Sequence, residues 1–122
     1  MTPETLLLRQ VHPSFIQDGR VTSQVFRPTP KDEQQLSVDN GDAVTPRDSW
    51  QRFTTILGCQ SIGVMAVSHS QCVEQELPVI EDGDPYPEHC SINFSDFEKK
   101  VIEKKAKLLR AKAVERGWLV QV

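Results

Sequence analysis

The chain has 122 residues, the length of one ordinary domain and too short for two independent cores. Hydrophobic residues are 38% and charged residues 25%, which argues against wholesale disorder, and eight prolines with six glycines point away from a plain helical bundle. The formal net charge of −3 is unevenly held: residues 96–116 carry eight basic against four acidic side chains, +4, and the remainder carries −7.

From the N-terminus, Leu6 to Val11 reads as a first strand. Its Leu6-Leu7-Leu8 run and Ile62 to Val67 are the longest uncharged apolar stretches, far short of the roughly 20 residues a membrane span needs. Val21 to Phe26 follows as a strand whose two faces are equally plausible by alternation. A polar loop, Pro28 to Gln35, leads to a short strand at Leu36 to Val38, closed by the turn sequence Asp39-Asn40-Gly41-Asp42.

Thr45, Pro46 and Asp48 announce a helix by cap, first-turn proline and charge, with Trp50, Phe53 and Leu57 on its apolar face and Gly58 as its end. Ser61 to Ser68 is β-favouring and reads as a central strand. A short helix then starts near Ser68 or Ser70 and stops before Pro78, with Val73 inward. After the loop Glu81 to Pro87, Ser91 to Phe94 is a strand entering the longest helix. Ser95 and Glu98 have the spacing of a capping box, and Ile102, Ala106, Leu109 and Ala113 recur at helical period, widened by Val101 and Leu108. Gly117 ends that helix, and the apolar Trp118 to Val122 folds back as a strand or clamp. The order predicts a single α+β domain, residues 1–122: a small mixed or antiparallel sheet packed by two to three helices, the last one long.

Chemistry leaves fewer marks. His12, His69, Cys72, His89 and Cys90 are the metal-ligand types present, yet no paired C-x-x-C occurs, and adjacent strand residues such as His89 and Cys90 face opposite ways. No metal and no cofactor are expected. Cys72, near a helix start with His69 beside it, is the best-placed thiol for a nucleophile. Nucleotide-binding glycine motifs, H-E-x-x-H and G-x-S-x-G are all missing. The densest polar sequence runs from Arg9 through His12 and Ser23 to Lys31 and Asp32. Arginine and histidine on one strand with hydroxyls on the next are the residue types an ADP-ribosyltransferase-like enzyme or a hydrolase would bring together. Such an enzyme needs them in one cleft; a binding protein would scatter them into turns and ion pairs.

The stretches RQVHPSFIQDGRVTSQVFRPTPKD, FTTILGCQSIGVMAVS, PYPEHCSINFSDF and KAKLLRAKAVERGWL resemble a family of small single-domain bacterial proteins over nearly the whole chain. The resemblance implies a stand-alone bacterial protein made beside larger partners, and it assigns no residue a role.

These observations set the functional expectation: a cytoplasmic, non-catalytic adaptor or accessory subunit of a bacterial multi-gene system. Its partner would be another protein encoded nearby, docked through Lys100, Lys104, Lys107 and Trp118, with a homo-oligomer as the other assembly to test. The enzyme centred on Arg9, His12 and Ser23 is the first alternative. Nucleic-acid binding is the second, weakened by the acidic total and by a basic helix without interleaved aromatics.

Overall fold

Side chains alternate across each extended segment, so the sheet's two faces can be read directly from its register. The computed structural model describes residues 1–122. Its strands are β1 (Leu6–Gln10), β2 (Ile16–Gln17), β3 (Arg20–Val21), β4 (Gln35–Asn40), β5 (Gly63–Ser68), β6 (Val79–Ile80), β7 (His89–Asn93) and β8 (Val120–Gln121). Its helices are α1 (Pro46–Gln51), continued by a wider turn to Ile56, α2 (His69–Glu74) and α3 (Lys99–Arg116). Six strands form one antiparallel sheet in the order β6-β7-β4-β1-β5-β8, while β2 and β3 make a separate hairpin. The architecture is α+β with a long C-terminal helix.

On one face stand Leu7, Leu36, Val38, Met65, Val67, Cys90 and Ile92. Ile102, Ala106, Leu109 and Ala113 of α3 cover them, the four positions whose spacing marked the helix. On the other face Leu8, Val64, Ala66 and Val120 form a smaller cluster beneath Trp50 and Val44. The same face turns polar toward β4 and β7, where Asp39 pairs in register with His89 and Ser37 with Ser91.

Several local expectations are corrected. Val21 to Phe26 is not a strand: only Val21 pairs, and Ser23–Phe26 is a 3-10 turn that drives the fully buried Val25 and Phe26 into the main core. The capping box of α3 does not form, because Glu98 itself is the N-cap without a side-chain bond and the Ser95 amide donates to Asn93 Oδ1 at 2.8 Å. The box appears instead at α2, between Ser68 and Gln71. Within α2 the inward residue is Cys72, while Val73 is 59% exposed. Leu57 and Leu108 are likewise exposed. Each helix buries a narrower stripe than its apolar residues would fill.

The end of the chain closes the sheet. Val120 pairs with Val64 on β5, and Trp118 packs over Gly63, where a Cβ would strike the indole and the Val120 carbonyl. Gly117 turns the chain at φ +92°, where a side chain would be strained.

Candidate functional site

Helix α3 spends three of its basic side chains on holding itself to the body. Arg110 Nε donates to the Val21 carbonyl at 2.8 Å, and Arg116 Nη1 donates to the Ala66 carbonyl at 2.9 Å on the uncovered part of β5. Lys105 Nζ donates to the Gln75 carbonyl at 2.5 Å and lies 4.3 Å from the Phe97 ring centroid. The other five, Lys99, Lys100, Lys104, Lys107 and Lys112, form no ion pair. All three ion pairs of the molecule lie elsewhere, between Arg52 and Asp39, Arg52 and Glu88, and His89 and Asp82. Glu103 makes no bridge to Lys107 despite its i,i+4 position. Lys100, Lys104 and Lys107 are exposed and follow one another along a single stripe of the helix, which runs on into exposed Ala111 and Val114.

Beside this stripe the β2–β3 hairpin leans on α3 and leaves a cleft of about 670 Å3, lined by Gln17, Asp18, Arg20, Val21, Thr22, Ser23, Lys107 and Arg110. The hairpin turns at Asp18 and Gly19, both with positive φ. The Arg110–Val21 bond fixes its second strand against the helix.

The residues proposed from sequence for an enzyme do not line one of the larger depressions together, although Asp32 stands near enough to act on the charge of Arg9, and Arg9 and His12 both meet the Phe15 ring. Arg9 gives Nε to the Val25 carbonyl at 2.7 Å and Nη1 to the Ser37 carbonyl at 3.0 Å. Burial pushes its guanidinium down to about 10, opposed by the nearby Asp32 carboxylate, so it remains a cation at neutral pH. His12 caps a 3-10 turn, its Nδ1 accepting from the Ser14 amide at 3.0 Å. Asp32 accepts from the Thr29 hydroxyl at 3.0 Å, and Lys31 is exposed on that same turn. Ser23 lines the cleft beside α3, while Arg9 lines a different, far smaller depression next to Tyr86. Trp118, half-buried, packs against the main core.

A polar network that the sequence did not disclose joins α1, β4, β7 and the loop before β7. Asp39 accepts from Ser49 Oγ at 2.5 Å, from the Tyr86 hydroxyl at 2.9 Å and from Arg52 Nη2 at 3.3 Å. Arg52 reaches Glu88 at 3.0 Å and lies 3.8 Å over the Tyr86 ring. Burial and the Asp39 carboxylate together push the Tyr86 hydroxyl up to about 12. Burial lowers Arg52, but Asp39 and Glu88 more than compensate and hold it above its ordinary value. Farther along, Asp82 accepts from His89 Nδ1 at 2.6 Å and from Ser91 Oγ at 2.7 Å. Its burial would raise the carboxyl, yet these hydrogen bonds win and it lies below the usual carboxylate range. Every member has a partner within the network, so the arrangement pins loops to the sheet, while Arg52 and Glu88 line one surface depression and Asp39 and Tyr86 another. No motif could have revealed it, because its residues span positions 39 to 91 without a repeated spacing.

The two buried thiols are no better placed for chemistry. Burial pushes Cys72 up to about 12 and, with Glu81 and Asp82, Cys90 up to about 11. A nucleophile needs the opposite shift. Nowhere do three or more His, Cys, Asp or Glu side chains stand as a metal-holding group, and no helix is long and apolar enough to cross a membrane. Comparison with protein-family models, with curated proteins and with solved structures finds no match.

Proposed function

We propose that this protein is a non-catalytic adaptor or accessory subunit, of cytoplasmic and bacterial setting, whose α3 surface docks an acidic face of a partner protein. One observation carries the reading: the exposed stripe of Lys100, Lys104 and Lys107 forms no ion pair with any acid of its own chain, although the rest of the chain carries a net −7. Unpaired like charges on one helix face cost stability by mutual repulsion, and a complementary surface relieves that cost. Arg9, His12 and Asp32 are each engaged by the chain itself, in carbonyl bonds, a cap and a bond from Thr29, and Arg9 and Ser23 line different depressions, which also supports binding over catalysis.

The test reverses Lys100, Lys104 and Lys107 to Glu and compares the tagged variant with wild type in co-purification from the host, followed by kinetics on the purified complex. The reading expects the specific partner to be lost or its association rate to drop by about tenfold or more, steeply with added salt. The same two proteins go into a gel-shift assay with nucleic acid. A shift by wild type at about 0.15 M salt, abolished by the reversal, would replace the adaptor reading with phosphate-backbone binding.

A further inference from the structure

We propose that the cleft between the β2–β3 hairpin and α3 is a binding site for the phosphate of a small phosphomonoester. Of its eight lining residues only Val21 is apolar, which rules out an oily ligand. Three cations, Arg20, Lys107 and Arg110, face one acid, Asp18, so the lining carries a surplus of two positive charges. None of the three is in an ion pair. A phosphomonoester brings between about −1.5 and −2 at neutral pH and matches that surplus, where a carboxylate or a single phosphodiester brings only one charge.

The donors suit the same ligand. Arg110 has its Nε fixed on the Val21 carbonyl, its one hydrogen bond within the protein, which holds the guanidinium while both terminal nitrogens stay unbonded. An immobilised fork is the geometry arginine uses on phosphate oxygens. Lys107, three residues earlier on α3, adds a point charge, and Arg20 approaches from the hairpin side. The Ser23 hydroxyl lines the cleft without a protein partner, and the Gln17 amide adds further hydrogen-bonding capacity at the wall. The volume, about 670 Å3, exceeds what a lone phosphate fills and leaves room for the group esterified to it.

The site shares Lys107 with the docking stripe, but Lys100 and Lys104 lie outside the cleft and Arg20 lies off the stripe, so Arg20→Gln tests the cleft apart from docking. Calorimetric titration at constant ionic strength, balanced with chloride, compares inorganic phosphate, ribose 5-phosphate and an oligonucleotide without terminal phosphate. Saturable binding of phosphate or the monoester is expected in wild type and in Lys99→Gln, an exposed position outside both the cleft and the docking stripe. Arg20→Gln and Lys107→Gln, both at exposed positions, should each weaken it by about tenfold. Tighter binding of the monoester than of phosphate identifies an organic ligand, and equal binding identifies the free ion. No saturable heat with either, unchanged affinity in both cleft variants, or equal binding of the oligonucleotide, which offers only phosphodiesters, would overturn the proposal.

Discussion

Gly63 shows how little room single residues have in this fold. A methyl group there would meet the Trp118 ring at 2.9 Å and collide with the Val120 carbonyl, in a place with backbone on one side and a packed indole on the other. Gly63→Ala should therefore destabilise the protein by about 1–3 kcal/mol or more, read as a lower urea midpoint. Asp82 gives the second residue-scale prediction. Its folded carboxyl lies below the ordinary value of 3.8, so its contribution to stability is fully present above that value and fades as pH falls through the depressed one. Asp82→Asn should lower the urea midpoint at pH 7, and the gap to wild type should close under strongly acid conditions. A gap that persists unchanged at low pH would show that charge on Asp82 contributes nothing.

At the scale of elements, α3 divides into a buried stripe and a free one. Leu109 is 1% exposed against the sheet and Leu108 is 41% exposed, although they are neighbours in sequence. Leu109→Asp puts an unpaired charge in the core and should cost several kcal/mol of a total that for such domains is about 5–15 kcal/mol. Leu108→Lys should move stability by no more than about 0.5 kcal/mol, and thermal melts of the pair check both. The network around Asp39 makes a parallel case for α1. Arg52→Met removes one of three donors from a carboxylate that is 5% exposed, while Ser49 and Tyr86 remain. A loss of about 1–3 kcal/mol is expected, measurable by denaturant unfolding.

For the whole molecule, the sheet separates two unlike surfaces. The face under α3 carries the larger core, and the opposite face splits between the smaller apolar cluster and the polar network. Central β1 contributes Leu7 to one core and Leu8 to the other, so neither can come apart without breaking the same backbone ladder. We expect one cooperative unfolding transition, with calorimetric and van't Hoff enthalpies in agreement. Two resolved transitions would show that the apolar cluster under Trp50 melts by itself.

Local rules were enough for the α+β class, the buried quartet of α3, the Thr45 cap of α1, the Gly117 stop and the strands at β1, β4, β5 and β7. Each rests on periodicity or on a cap within a few residues, and such signals are written in the chain itself. Tertiary packing decided the rest. Val21 to Phe26 has the composition of a strand, but burying Val25 and Phe26 together against α3 required a 3-10 turn that no alternation foretells. The partners of Asp39 lie 10 to 47 residues away, and the cleft draws Arg20 and Ser23 to Lys107 and Arg110 across most of the chain. Contacts of that separation depend on how strands order themselves in the sheet, and a single sequence carries no local trace of that order.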